Sequence, residues 1–154
     1  MVRASTAAVL SSALCRPPLD LVHILQGLVR DHGDSFRSLA RFQEGPECFH
    51  ERVHATADFE VWLLSWLPSQ VTPIHDHGGA ITATTVLSGS VIEERFVRTS
   101  GFNVRPVWTM PRVVGDADRI EATAIHRVRP IGNVVSLHLF APVCREAQIY
   151  QAVA

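Results

Sequence analysis

Residues 61–79 read VWLLSWLPSQVTPIHDHGG and are the most informative part of the sequence. An apolar, aromatic run leads through a proline-containing connection to His75, Asp76 and His77. In an extended segment, residues i and i+2 point to the same face, so the two imidazoles can chelate one metal ion from one wall of a sheet. Asp76 points to the opposite face, and we do not expect it to be a ligand.

Short β-type runs surround this stretch from about residue 49 onward. Residues 81–87 (ITATTVL) and 90–97 (SVIEERFV) flank Ser88-Gly89, which predicts a hairpin turn. Further runs follow at residues 102–108, 112–114, 125–128 and 134–140. They are separated by the turn signals Ser100-Gly101, Met110-Pro111, Gly115-Asp116 and Ile131-Gly132-Asn133. Several short strands with regular turn signals are typical of a β-sandwich or a small barrel. The sequence therefore predicts a mainly β fold.

The first part of the chain has a helical pattern instead. Gly33 is a plausible helix stop, a shorter helix is predicted over residues 35–42, and Gly45-Pro46 ends the helical part. The apolar residues that recur at helical spacing are Leu21, Val22, Ile24, Leu25, Leu28 and Val29. We predict one structural domain overall, with an N-terminal helical extension (residues 1–46) packed on a β-barrel domain (residues 47–154).

Composition fits a single globular domain and excludes several classes of function. The chain has 154 residues, a net charge of −1, and no electrostatic signature of a nucleic-acid or anionic-membrane partner. No apolar run approaches the ~20 residues that a membrane span needs. Cys15, Cys48 and Cys144 form neither a CxxC pair nor a disulfide framework, which is typical of a reduced cytoplasm. We expect a cytoplasmic protein that is a monomer or a weak homo-oligomer.

The spacing of the histidines resembles the first motif of the cupin superfamily, G-x5-HxH-x3-4-E-x6-G. His75 and His77 occupy the histidine positions, and Gly89 closes the motif at the right distance. Ser69 stands at the first glycine, and Thr82 stands at the glutamate. The resemblance implies a cupin barrel, which is a double-stranded β-helix similar to a jelly roll.

A second cupin-like motif supplies the candidate for a third metal ligand. A third ligand must come from another strand, and His126 in the run AIHRV is the natural candidate. Gly115 and His126 fit the motif G-x5-P-x-G-x2-H-x3-N in register. The other motif positions are replaced, by Glu121, Thr123 and Pro130.

The local sequence is also similar to the cysteine dioxygenase-like (thiol dioxygenase) family over roughly residues 49–143. The residues that carry this resemblance are Trp66, the His75-Asp76-His77 motif, Leu87-Ser88-Gly89, Ile125-His126-Arg127-Val128 and Ser136-Leu137-His138-Leu139-Phe140. It implies one Fe(II) ion per chain, held by His75, His77 and His126. It further implies that O2 is added to the sulfur of a small thiol acid, of the cysteine or 3-mercaptopropionate type, to give a sulfinate.

The resemblance also implies roles for residues around the metal. Ser136 and His138 match two members of a catalytic Ser-His-Tyr relay, whereas Phe140 stands where the family usually has tyrosine. Thr82 and Phe140 occupy the positions of a Cys–Tyr crosslink, which therefore cannot form, and both are candidates to line the substrate pocket. Arg52 is the best match for the arginine that binds a substrate carboxylate; Arg95 and Arg127 are weaker candidates.

Other prominent residues receive ordinary structural interpretations. The tryptophans Trp62, Trp66 and Trp108 are expected in the core or pocket wall, and Glu93-Glu94 is expected at a solvated strand edge. Two alternative functions remain open at this stage. One is a different metal-dependent cupin enzyme that acts on a non-thiol substrate, and the other is a non-catalytic cupin that binds a metal or a small ligand.

Overall fold

The computed structural model describes residues 19–143 and 146–153, which form one helix followed by eight strands. Residues 1–18 of the predicted extension, Cys15 and Cys144 lie outside these ranges. The elements are α1 (Leu21–Ser38), β1 (Phe49–Ala55), β2 (Glu60–Trp66), β3 (Ile74–His75), β4 (Ile81–Ser100), β5 (Asn103–Val113), β6 (Ala117–Ile120), β7 (Ile125–Ala141) and β8 (Ile149–Ala152).

Two long antiparallel strands, β4 and β7, form the frame of a barrel. They pair along nearly their whole lengths, from Ile81↔Ala141 to Phe96↔Ile125. The pairings β7–β3, β3–β8, β8–β5, β5–β4 and β4–β7 make a closed circuit, in which β5–β8 is the parallel pair. At the other end of the long strands, β1 and β2 extend the sheet beyond β7, and β6 pairs with β4. The predicted mainly β barrel with an N-terminal helix is confirmed.

Helix α1 covers the outer face of the sheet that β2, β4 and β7 share. Asp20 caps the helix, because its Oδ1 accepts a hydrogen bond from the backbone N–H of His23 at 3.0 Å. The buried residues of the resulting apolar cluster are Leu21, Leu25, Phe36, Val61, Leu63, Ala83, Leu87, Val135, Leu137 and Leu139. Because strand side chains alternate between faces, the neighbouring residues of the same strands point into the barrel.

The predicted helix stop at Gly33 and the second helix over residues 35–42 are wrong. Helix α1 continues to Ser38, and Gly33 lies buried within it. Glycine inside a helix costs about 1 kcal/mol relative to alanine. Burial of Phe36 in the apolar cluster contributes about 1.5–3 kcal/mol, so tertiary packing outweighs the local helix-breaking tendency.

The predicted hairpin at Ser88-Gly89 is also wrong. Residues 81–87 and 90–97 belong to one strand, β4, which changes register against β7 around Ser88 and Ser90. Gly89 has a φ of +76°, and a β-carbon there would lie 2.5 Å from the carbonyl oxygen of Asn133. The glycine therefore marks a close approach between two strands, and both β-type runs pair with β7 instead of with each other.

Two further turn predictions are wrong because the chain continues as one strand through each predicted turn. Met110-Pro111 lies within β5, and Gly132-Asn133 lies within β7, so each separates two halves of one strand. Local composition does not distinguish a bent strand from two strands joined by a turn. In the part of the chain that the structure describes, no helix is long and apolar enough to cross a membrane.

Candidate metal centre

Three histidines converge on the inner wall of the barrel. His75 ends β3 and is paired in register with His126 of β7, and His77 follows two residues later. One ring nitrogen from each histidine lies within 4.8 Å of the others, and the Nε2 atoms of His77 and His126 are 3.1 Å apart. The structure thus brings together the three residues that the sequence proposed as ligands.

The Nδ1 atom of each histidine faces a hydrogen-bond partner on the side away from the cluster. His75 Nδ1 lies 2.9 Å from the carbonyl oxygen of Pro73, which can only accept a hydrogen bond. His77 Nδ1 lies 3.0 Å from the hydroxyl oxygen of Thr82. His126 Nδ1 lies 3.1 Å from Glu93 Oε1. With the proton on Nδ1, each ring directs the lone pair of Nε2 into the cluster, which is the form that binds a metal.

The site favours the neutral form of two of the cluster's imidazoles, those of His75 and His77. Burial, together with the nearby His126 ring, lowers the pKa of His75 to about 4 and that of His77 to about 2. Burial also lowers the pKa of His138, which lies beside the cluster, to about 3, and the nearby His126 ring adds to this effect. Neutral imidazole is the metal-binding form of histidine, so these rings do not have to lose protons before they bind a cation.

The donor set fits a divalent transition metal. Within the described ranges, the group of potential ligands contains three histidines and no carboxylate. When both rings carry their proton on Nδ1, the lone pairs of the two Nε2 atoms face each other at 3.1 Å and repel, and a cation between them removes this repulsion. Imidazole suits iron, zinc, copper and nickel, so the three histidines are consistent with a metal ion but do not select which metal.

Ser136 and His138 form a hydrogen-bonded pair beside the cluster, and Trp66 extends it. Ser136 Oγ lies 3.0 Å from His138 Nε2, on the same face of β7. Trp66 Nε1–H donates to Ser136 Oγ at 2.9 Å, a contact that the sequence interpretation of Trp66 as pocket wall missed. This chain of three hydrogen-bonded groups fixes the His138 ring. A small cavity of about 30 Å³ lies next to it, and the residues that line it include Thr84, Val128, His126, Ser136 and His138.

Phe140 and Thr82 occupy different layers of the site. The centroid of the Phe140 ring lies 5.6 Å from that of His77, a candidate ligand, and 6.4 Å from that of His138, so Phe140 lies on the metal-facing side of the sheet. Thr82 has no exposed surface, and its hydroxyl contacts the Nδ1 side of His77. Thr82, which stands at the position of the cupin glutamate, therefore contacts a candidate ligand on the side of the ring away from the cluster. Its contact with a substrate stays a prediction.

The candidate arginines are all engaged in ion pairs. Arg52 is aligned through Trp62 with His138 and so lies on the metal-facing side of the sheet; its Nη1 is 3.6 Å from Glu60 Oε2. Arg95 also faces inward and bonds Glu93, as described below. As expected for a strand residue next to an inward-facing ligand, Arg127 points away from the cluster and contacts Glu94.

Asp76, between the two ligands of the HDH motif, anchors the loop that carries them. Its Oδ1 accepts hydrogen bonds from the backbone N–H groups of Gly78 and Gln148, at 3.0 and 2.9 Å. Its Oδ2 accepts from the hydroxyl of Tyr150 on β8 at 2.9 Å, and Arg98 donates to that hydroxyl. Burial alone would raise the pKa of Asp76, but these hydrogen bonds hold it below its usual value.

Replacing Tyr150 with phenylalanine should therefore destabilise the protein and loosen the ligand loop. We expect the free energy of unfolding to fall by about 1.5–3 kcal/mol, the usual value of a hydrogen bond to a charged group. Urea denaturation of the metal-free protein measures this change. The phenyl ring retains the packing of Tyr150 against Ile74, so wild-type stability in Tyr150→Phe would show that the hydroxyl does not hold Asp76.

The closed barrel of long paired strands, with a histidine cluster on its inner wall, defines a cupin-like protein. Three solved structures share this fold at identities that support the fold alone. One is an uncharacterized conserved protein with a double-stranded beta-helix domain from Klebsiella pneumoniae subsp. pneumoniae, with 17% identity and a TM-score of 0.60, covering 75% of this chain and 88% of that one. The second is a protein from Thermus thermophilus, with 22% identity and a TM-score of 0.56, covering 70% of this chain and 93% of that one. The third is an RmlC-like cupin protein from Desulfovibrio desulfuricans, with 23% identity and a TM-score of 0.51, covering 68% of this chain and 90% of that one.

The sequence identifies the family within this class. Residues 19–152 match the family described as cysteine dioxygenase type I. The chain belongs to this family. The match covers most of the chain and confirms the family that the histidine spacing and the SLHLF run indicated. No curated protein matches the sequence.

Proposed function

We propose that the protein is a mononuclear non-haem Fe(II) thiol dioxygenase that oxidises a small thiol acid to a sulfinate. The observation that carries this proposal is the cluster of three histidine imidazoles, with no carboxylate in the group within the described ranges. Family membership supports the same reaction class. In this proposal, one Fe(II) per chain is held by His75, His77 and His126, and the partners are a small thiol and O2.

The proposed reaction balances without a further reductant. Both atoms of O2 are transferred to the thiolate sulfur, which is oxidised by four electrons while O2 is reduced by four. Fe(II), when bound, supplies positive charge that favours the thiolate and coordination positions at which thiolate and O2 meet. Since none of the three proposed protein ligands is anionic, no ligand would neutralise the charge that favours an anionic substrate.

The chain's own residues bind and orient the reactants in this proposal. His138, fixed by Ser136 and Trp66, donates or accepts a hydrogen bond at the substrate or at O2. Phe140 excludes water from the ligand side of the site. Arg52 binds the substrate carboxylate in competition with Glu60, since its guanidinium suits bidentate contact with a carboxylate.

Oxygen consumption by anaerobically Fe(II)-loaded protein tests the proposal. We expect cysteine or 3-mercaptopropionate to cause uptake of one O2 per sulfinate formed, measured with an oxygen electrode and mass spectrometry. The same concentration of cysteamine, a thiol without a carboxylate, should react much more slowly. His23→Gln changes an exposed histidine on the outer helix, far from the proposed chemistry, and should keep wild-type activity.

The outcome separates the proposed reaction from the alternatives. Protein that binds one iron per chain yet consumes no O2 with either thiol acid would contradict a thiol dioxygenase and favour another cupin function. Faster oxidation of cysteamine than of the two acids would contradict a thiol-acid substrate and the role of Arg52.

A further inference from the structure

We infer that Glu93 is a positioning residue of the metal centre, because its carboxylate holds the His126 ring in the tautomer and orientation that direct Nε2 to the metal. The inference deepens the proposed function and rests on its metal-binding part, but not on the thiol chemistry. The sequence interpretation placed Glu93 at a solvated strand edge. The structure shows its side chain inside the barrel, with 3% of the residue exposed.

The strand register brings Glu93 to His126. Along β4, Glu93 and Arg95 point to the same face, and the pairing with β7 places Arg95 opposite His126 and Glu93 opposite Val128. The Glu93 side chain therefore approaches the imidazole diagonally from the neighbouring strand. Its Oε1 lies 3.1 Å from His126 Nδ1, and His126 is itself only 2% exposed.

Two arginines hold the Glu93 carboxylate in place. Arg95 Nε donates to Oε1 at 2.6 Å, and Arg112 Nε, from β5, donates to Oε2 at 3.1 Å. Asp118, on β6, bonds both arginines. Glu93 thus belongs to a network that spans four strands, in which two negative and two positive charges balance.

This geometry determines which ring nitrogen of His126 carries the proton. A carboxylate held between two guanidinium groups is ionised and can only accept hydrogen bonds. His126 Nδ1 must therefore be the donor, and in the neutral ring this leaves a lone pair on Nε2, 3.1 Å from Nε2 of His77. A second tautomer would place a proton between the two Nε2 atoms and leave Nδ1 facing an anion.

Glu93 differs in charge from the other groups described behind the cluster. The Nδ1 atoms of His75 and His77 face a carbonyl and a hydroxyl, which are neutral. A carboxylate partner makes an imidazole a stronger donor to a metal, and loss of such a partner typically lowers metal affinity about 10–100-fold. In a site whose three candidate ligands are all imidazoles, Glu93 supplies negative charge through His126 without occupying a coordination position.

Glu94, the next residue, offers a matched control. It is also an ion-paired glutamate of β4, with Arg127 Nε 2.7 Å from its Oε2 and Arg129 Nη2 3.4 Å from its Oε1. Because it points to the opposite face of the strand, its side chain contacts neither His126 nor the cluster. Glu93→Gln and Glu94→Gln each remove one ion-paired carboxylate from the same strand, and Glu93→Leu removes the acceptor altogether.

Two measurements test the inference without any activity assay. In 15N-histidine-labelled, metal-free protein, we expect the NMR spectrum to show His126 as a single tautomer protonated at Nδ1, and Glu93→Leu to abolish that preference. Titration with Zn(II) and Co(II) should show affinity about 10-fold lower in Glu93→Gln and about 100-fold lower in Glu93→Leu. Glu94→Gln should bind both metals within about two-fold of wild type.

Unchanged His126 tautomer and metal affinity in both Glu93 variants would overturn the inference. An equal loss of affinity in Glu94→Gln would also overturn it, since a general loss of strand stability would then explain the effect. If Glu93→Leu fails to fold, Glu93→Gln, which has nearly the same shape, still decides the question. Oxygen uptake with thiols enters neither measurement, so a failure of the proposed reaction and a failure of this inference are distinguishable.

Discussion

Replacement of His126 with alanine is expected to abolish stable metal binding, with at least about a 100-fold loss of affinity. Loss of a residue that only supports a ligand costs about 10–100-fold, and His126 itself offers a ligand atom to the cluster. Only His75 and His77 would remain, both from one short segment of chain. Metal content after dialysis and titration with Zn(II) measure the change.

His138→Ala is the matched control for this experiment. His138 lies on the same strand, faces the same cavity and is also an imidazole, but it does not belong to the cluster of potential ligands. We expect it to bind one metal per chain with affinity close to that of wild type. Full metal binding by His126→Ala, or an equal loss in His138→Ala, would contradict the ligand set of His75, His77 and His126.

Gly89→Ala should be among the most destabilising single substitutions outside the core. An L-residue with φ near +76° costs about 1–2 kcal/mol. The added β-carbon would also lie 2.5 Å from the carbonyl oxygen of Asn133, so the β4 and β7 backbones must move apart. Such overpacking costs about 1–3 kcal/mol more. We expect the free energy of unfolding to fall by about 2–5 kcal/mol, measured by urea denaturation.

Gly132→Ala separates the two causes. Gly132 has a similar φ of +72°, but a β-carbon there meets nothing within 4 Å. This variant should lose only about 1–2 kcal/mol, the cost of the backbone conformation. Equal destabilisation by the two substitutions would show that the close approach of β4 and β7 at Gly89 contributes nothing.

The fold class was predictable because its main signals are local. Short β-type runs between turn signals identified the β-rich part, and the apolar residues at helical spacing from Leu21 to Val29 identified the helix. The boundaries inside β4, β5 and β7 were not predictable. Glycine and proline signal a break in regular geometry, but whether the chain then turns back or bends and continues depends on the strand that pairs with it.

The candidate site was predictable in part. His75 and His77 are two residues apart, so an extended backbone alone places them on one face, and the motif spacing indicated His126. The support behind the ligands was not predictable, because Glu93 and Thr82 reach His126 and His77 only through strand register. A shift of one residue would turn each of these side chains to the opposite face.

The sequence by itself determined the class of barrel, the amphipathic helix, the family and the three histidines. The mainly β class and the helix follow from local runs and periodicity, whereas the type of barrel, the family and the third histidine follow from motifs that resemble known families. Both kinds of signal are present in the sequence before the chain folds. Only the tertiary structure decided that Gly89 lies inside a strand, that Thr82 supports a ligand from behind and that Glu93 is buried beside His126. The contact between Glu93 and His126 joins residues 33 positions apart, and its distance is set by the closure of the barrel.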